Sequence, residues 1–247
     1  MNNIIILMYH SIDASNSVIS LSAEIFATHL QYLKEHNFQV VPLATALDLL
    51  HKGTCQGTEV VLTFDDGFEN FYTTAYPLLA SFQMPALVFL VADYCGQDNY
   101  WPGQNQAIPR MPLLNWSMIK ELTKLGIEFG AHSCSHPDLT KLTRQAVKEE
   151  ILNSRKTIQE HTGKQVDYFA YPYGASNSAT QEIVAKEFQA GLGTFLAPTQ
   201  RSDNRANLSR VDAYYLKDCF SLLGTPMLSP YLKARNLARR IRQQFIK

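Results

Sequence analysis

The chain has 247 residues, 46% of them hydrophobic, and its 22 Lys and Arg balance 22 Asp and Glu. That length suits one large domain better than two, and the apolar share is ample for a core. Nothing is of low complexity, which excludes a disordered polar tract, and the even charge favours neither nucleic acid nor membrane.

Short apolar runs rich in β-formers predict strands at 4–8, 39–41, 59–64, 86–91, 127–131, 168–171, 190–195 and 209–213. The first run is five residues long with no Lys or Arg before it, which fits neither a signal peptide nor a membrane-spanning helix. Phe26, Leu30 and Leu33 mark one face of a first helix with Ser22 as its N-cap. Further helices are predicted over 71–82, 116–125, 143–161 and 177–188. The segments 93–112 and 197–207, rich in Pro, Gly, Asn and polar residues, read as loops over the mouth of the fold. Cys55, Cys95, Cys134 and Cys219 have no CxxC spacing, so neither a structural zinc knot nor a redox pair is indicated. Reduced thiols and the lack of a leader predict a cytoplasmic protein.

Strands that alternate with helices predict an α/β fold with a parallel sheet. Three polar motifs each follow directly on a strand, and in a barrel such strand ends converge on one mouth. The expectation is therefore a distorted (β/α) barrel of about seven parallel strands, with the active site at the C-terminal mouth.

Thr63-Phe64-Asp65-Asp66-Gly67 and His132-Ser133-Cys134-Ser135-His136 are the motifs that carry chemistry. Adjacent carboxylates repel unless a cation or a donor intervenes. Along an extended chain they point opposite ways, so one can bind a metal while its neighbour takes a proton. One carboxylate and two imidazoles leave coordination positions open for water and substrate. Ser133 and Ser135 can orient the imidazoles, and Cys134 is expected to point into the body. Tyr9-His10, after the first strand, is a third candidate. The turn Tyr171-Pro172-Tyr173-Gly174 can offer a backbone N–H and an apolar wall. No GxSxG string, phosphate-binding loop or dinucleotide fingerprint is present.

The last fifteen residues, 233–247, hold six basic residues and no acid, leaving 16 basic against 22 acidic in residues 1–232. Leu237, Ile241 and Phe245 recur every four residues, as on one helix face. Two readings stand: a terminal helix that docks those apolar residues on the body, or a basic amphipathic helix on an anionic membrane. Residues 1–232 are expected to form the catalytic domain.

Together these strings resemble the polysaccharide deacetylase family, the NodB homology domain of carbohydrate esterase family 4. The likeness rests on TFDDG at 63–67, HSCSHPDL at 132–139 and FAYPYG at 169–174, with Leu114-Asn115-Trp116 as a weaker match. It implies a metal-dependent hydrolase that removes N-acetyl groups from an N-acetylated glycan or glycolipid, usually with zinc. It implies Asp65 as general base, Asp66, His132 and His136 as metal ligands, and the Tyr173 N–H as oxyanion donor. Many members carry an arginine in the third motif that braces the base, and a late general-acid histidine. Here Ala170-Tyr171-Pro172-Tyr173 has no arginine and no histidine follows His161. The chain is closer to the permuted poly-N-acetylglucosamine deacetylase subgroup, which implies His10 as the acid and Arg210 as the brace. Tyr171, Tyr100 and Trp101, with Tyr94 and Trp116, are the expected sugar-facing aromatics. A deformylase or other amidase remains an alternative, as does a metal-loaded carbohydrate-binding pseudoenzyme. A lipid-linked substrate met through the basic tail would suit a chain without a leader.

Overall fold

The computed structural model describes residues 3–245. Seven parallel strands form its centre: β1 (Asn3–Tyr9), β2 (Glu59–Phe64), β3 (Leu87–Leu90), β4 (Glu128–Ala131), β5 (Tyr168–Ala170), β6 (Ala190–Leu196) and β7 (Leu208–Asp212). Each pairs with the next, and β7 pairs with β1, which also pairs with β2, so the sheet closes into a barrel. Gln39–Val40 adds to the start of β2, and Thr199–Gln200 runs antiparallel beside Asn3 and Ile4.

Period-two alternation sorts the side chains. Ile4 and Ile6, Val61, Leu87 and Phe89, Tyr168 and Ala170, and Leu192 and Leu208 fill the barrel. Ile5 and Leu7, Val60 and Leu62, Val88 and Leu90, and Phe129 and Phe169 point outward to the helices. The interior is tight. A Cβ at Gly130 would lie 2.5 Å from the Phe89 ring and 3.0 Å from the Tyr168 carbonyl oxygen, so only glycine lets that ring cross the barrel.

Six helices pack around or across the strands: α1 (Ala23–Glu35), α2 (Leu43–Lys52), α3 (Tyr76–Phe82), α4 (Trp116–Lys124), α5 (Arg144–Thr162) and α6 (Ser178–Glu187). The predicted cap forms, Ser22 accepting from the Ile25 N–H, and α6 adds a capping box closed by Asn177 with Thr180. The predicted helix over 71–82 begins as a π-turn, Phe71–Ala75, before α3.

Two features differ from expectation. Helix α2 was not predicted; its Leu43, Ala46, Leu47 and Leu50 recur at helical spacing and join the barrel-interior cluster, plugging the end where the strands begin. The loop 197–207 lies at that same closed end and not over the mouth. Its Gln200 and Arg205 line a hollow with Leu47 and His51, held there by the Thr199–Gln200 pairing to the start of β1.

The last helix, α7 (Leu228–Phe245), seats Leu228 and Leu232 in the outer core. Asn236 pairs with the Leu196 backbone, and Arg239 donates to the Thr194 carbonyl at 2.8 Å. Leu237 and Ile241 are 61% and 47% exposed, so the docking reading fails for both; the Phe245 side chain lies outside the described positions. Among the described residues no helix is long and apolar enough to cross a membrane.

Candidate metal centre and active site

Three strand ends build the site. At the end of β2 the Asp65 N–H donates to the Tyr9 carbonyl at 2.9 Å, which sets Asp65 beside the end of β1 and its neighbour His10. Asp65 continues the inward-facing series of Val61 and Thr63, so its carboxylate caps the barrel interior. Arg210, fully buried on β7, meets it with two parallel bonds of 2.7 Å. The same guanidinium donates to the Gly193 carbonyl at 2.8 Å and to Thr63 Oγ1 at 3.3 Å.

The chain then reverses. Asp66 and Gly67 both adopt left-handed backbone, φ 71° and 72°, and the turn carries the Asp66 carboxylate away from Arg210 toward the imidazoles. Asp66 Oδ1 lies 3.4 Å from both His132 Nε2 and His136 Nε2. All three groups are buried, and Asp66 Oδ1 has no hydrogen-bond partner among the described residues.

His132 follows β4, whose register on β3 is continued by the His132 N–H to the Leu90 carbonyl at 2.9 Å. Its Nδ1 lies 2.8 Å from the Ala170 carbonyl oxygen. A carbonyl can only accept, so Nδ1 carries a proton and Nε2 is the nitrogen left to serve a metal shared with Asp66. His136 is brought round by two left-handed residues, Ser133 at φ 65° and His136 itself at φ 59°, and its N–H donates to Ser133 Oγ at 2.9 Å. Trp101 and Tyr173 pack on the His136 ring, with centroids 4.3 and 4.5 Å away. Cys134 points into the body as expected and is no part of the cluster; burial pushes its thiol up to about 12.

The donors fit a divalent ion. Bonds of about 2.0–2.1 Å in tetrahedral geometry set ligand atoms roughly 3.3 Å apart, close to the 3.4 Å between Asp66 Oδ1 and each imidazole nitrogen. An orphaned buried carboxylate oxygen facing two imidazole nitrogens is the arrangement a cation would complete.

Electrostatics separate the two aspartates. Burial opposes ionisation of Asp65, but the charge and hydrogen bonds of Arg210, with His132 and His10, outweigh it and hold the carboxyl below the usual carboxylate range. Burial likewise opposes Asp66, and bonding and charge from His132 and His136 outweigh it. His136 is pushed down by burial, whereas at His132 the two carboxylates overcome burial and raise it.

His10, Asp65, Asp66, His132, His136, Trp101 and Tyr173 share the wall of one cavity of about 230 Å³. Arg210 stands behind Asp65. Tyr171 reaches the same wall, but its hydroxyl donates to the Ala206 carbonyl at 2.5 Å and is spent on the fold. Tyr100 is a correction: it is 62% exposed, lies under the Arg110 guanidinium and does not line the cavity. Trp116 is also elsewhere, stacked on His161 at 3.9 Å. Tyr94 supports Trp101 edge-on.

Sequence reasoning missed two residues. Asp212 continues the inward series of β7 two positions beyond Arg210; burial raises its carboxyl, and the charge of His10 acts the other way. Period two along that strand was the available signal. Glu150 on α5 accepts from the Cys134 N–H at 2.9 Å, the Ser135 N–H at 3.0 Å and Ser135 Oγ at 2.7 Å. It thereby grips the loop between the two histidines.

A family model described as polysaccharide deacetylase matches residues 52–190, and the chain belongs to that family. It is 29% identical to YxkH of Bacillus subtilis (strain 168) over 208 residues, covering 83% of this chain and 70% of that one. It is 26% identical to the poly-beta-1,6-N-acetyl-D-glucosamine N-deacetylase of Staphylococcus aureus (strain MRSA252), covering 78% of this chain and 65% of the relative's length. Among solved structures, IcaB from Ammonifex degensii superposes with a TM-score of 0.71 at 25% identity, covering 86% of this chain and 94% of that one. The Streptococcus pyogenes deacetylase PplD, solved with acetate, gives 0.75 at 23% identity, over 85% and 92%, and shares the fold.

Two predictions follow from the geometry. Arg210→Gln leaves Asp65 buried without its cation, and denaturant unfolding at neutral pH is expected to show a loss of about 3–5 kcal/mol. Because the native carboxyl titrates below the usual range, its stabilisation is present above the unfolded pKa and lost as pH falls through the folded one. The gap between the parent and Arg210→Gln should therefore shrink toward acid; a pH-independent gap would mean that Asp65 is not the group affected. Glu150→Ala should weaken affinity for an added divalent ion by about 10- to 100-fold, measured by competition with a chromogenic chelator, with Glu150→Gln intermediate. Equal affinities in all three proteins would remove Glu150 from the metal site.

Proposed function

We propose that this protein is a zinc-dependent deacetylase that hydrolyses N-acetyl groups on an N-acetylated glycan. The observation that carries the reading is the Arg210-held Asp65 carboxylate beside the Asp66, His132 and His136 cluster in one cavity. The staphylococcal relative's substrate and the family match support the glycan as substrate class. One carboxylate and two imidazoles are a donor set that suits zinc.

A zinc ion on those three ligands would supply Lewis acidity to the amide carbonyl and to a water. Asp65 takes the proton of the attacking water, a role that requires it to stay ionised, as its pairing with Arg210 ensures. The Tyr173 backbone N–H donates to the oxygen that gains charge. His10, in the wall of the same cavity, gives a proton to the departing amine. Trp101 and Tyr173 hold the His136 ring and offer apolar edges to the sugar.

We also propose that residues 233–247 meet an anionic membrane surface, where a lipid-linked glycan would be within reach. Supporting this, Leu237 and Ile241 stand exposed on a helix whose other residues include Lys233, Arg235, Arg239 and Arg240.

Zinc-loaded protein should release acetate from N-acetylated oligosaccharides, Asp65→Asn should not, and His10→Ala at equal zinc content should fall by about 10²–10⁴. Formate release alone would replace the acetyl reading with a deformylase, and zinc binding with no hydrolysis of any amide would leave a binding protein. For the tail, co-sedimentation with vesicles containing phosphatidylserine should be lost in a Leu237→Asp, Ile241→Asp double variant. Binding that survives it, or no binding by the parent, would discard the membrane contact.

A further inference from the structure

The rim of the barrel is irregular at one place. Leu208 and Arg210, two steps apart on β7, pair with Leu192 and Leu196, four steps apart on β6, so β6 bulges between those pairings. Bulges at barrel rims re-aim side chains. Gly193 and Thr194 lie in this one, and an arginine side chain bonds the carbonyl of each. Arg210 donates to the Gly193 carbonyl at 2.8 Å and also holds Asp65. Arg239 of α7 donates to the Thr194 carbonyl at 2.8 Å, and its other terminal nitrogen lies 3.4 Å from Thr194 Oγ1.

Thr194 is where the bulge meets the chemistry. It continues the inward-facing series of Ala190 and Leu192 and lines the catalytic cavity. Its side chain also packs against the turn that follows β5. A Cβ at Gly174 would lie 2.1 Å from Thr194 Oγ1 and 2.7 Å from its Cγ2, so the turn rests directly on this threonine. The turn is left-handed at Tyr173, φ 58°, and is closed by the Gly174 N–H on the Tyr171 carbonyl at 2.8 Å. A shift of Thr194 therefore releases the residue next to Tyr173.

Docking of α7 has other means. Leu228 and Leu232 are buried, and the Asn236 side chain makes two bonds with the Leu196 backbone, at 3.2 and 2.9 Å, where the bulge ends. Arg239 alone among the side chains of α7 bonds the residue that lines the cavity, as far as the described residues show.

We propose that Arg239 is a positioning residue of the active site: it pins the β6 bulge from the C-terminal helix, so that Thr194 supports the turn presenting the Tyr173 N–H. The role rests on the deacetylase reading above, in which that N–H meets the oxygen that gains charge. A donor aimed at charge that develops in the transition state governs turnover more than substrate binding.

The test compares the unmutated protein with Arg239→Ala, Arg239→Lys and Asn236→Ala at equal zinc content. Acetate release from N-acetylglucosamine oligomers is followed together with hydrogen exchange over residues 171–176. Arg239→Ala is expected to lower kcat by about 10- to 100-fold, the cost of a misplaced group, with KM changed by less than about twofold. Amides of the turn should exchange faster in that variant. Arg239→Lys should recover part of both, because one donor returns to the Thr194 carbonyl. Asn236→Ala loosens the same helix from the same strand without touching Thr194, so it should melt earlier and keep its kcat and its slow exchange. Unchanged kcat and exchange in Arg239→Ala, a change in KM alone, or an equal fall of kcat in Asn236→Ala would overturn the role, while an active parent keeps the deacetylase reading. A parent that releases no acetate overturns both.

Discussion

Everything at the mouth depends on one buried ion pair. Arg210 reaches from β7 across the barrel top to Asp65, and its remaining donors are taken by Gly193 and Thr63. A single side chain therefore ties β7, β6 and β2 together at the level where the site begins. Burying such a pair is no bargain for stability: an apolar replacement of the same volume is commonly neutral or better by about 1–4 kcal/mol. Its retention is explained by what it does to Asp65. The carboxylate lines the cavity, and the Arg210 charge holds it low against the burial that pushes it up. With Asp65 so held, its neighbour Asp66 is free to serve a different cation.

Splitting two adjacent carboxylates between two partners requires unusual backbone. Asp66, Ser133, His136 and Tyr173 are all left-handed without being glycine, and all four sit at the mouth. Each such residue costs of order 1–3 kcal/mol unless its surroundings impose it. Here the surroundings can be named. Ser133 Oγ accepts from the His136 N–H, Glu150 takes three donors from the intervening residues, and Trp101 and Tyr173 press on the His136 ring. The strain is local, and the long helix α5, packed on β4 through Val147 and Ile151, is the rigid body that sustains it.

Much of this was legible in the sequence, for physical reasons. Buried parallel strands are short apolar runs, and polar motifs at their ends stand out against them, so TFDDG and HSCSH declared both the barrel and its mouth. Arg210 was reachable only through family resemblance, and so was the acid role of His10, whose place after a strand made it no more than a candidate, because a lone cation or imidazole near a strand end carries no spacing signal. Glu150 was invisible. In Val147-Lys148-Glu149-Glu150 it reads as one more solvated charge, and only tertiary packing turns it inward. Helix α2 hid for the opposite reason: it lies beside a short two-residue strand, and its Leu-rich face plugs a barrel end that no linear pattern marks. The loop 197–207 has mouth-like composition, yet composition does not say at which end of the barrel a loop returns. Backbone pairing to β1 decided that.

The C-terminal helix shows how one element can serve two environments. Over its first half it is packed on the barrel: Leu228 and Leu232 are buried, the Tyr231 hydroxyl donates to the Tyr215 carbonyl, Arg235 donates to the Tyr231 oxygen, and Asn236 and Arg239 hold the end of β6. Thereafter the apolar positions Leu237 and Ile241 lose the body and face outward among arginines.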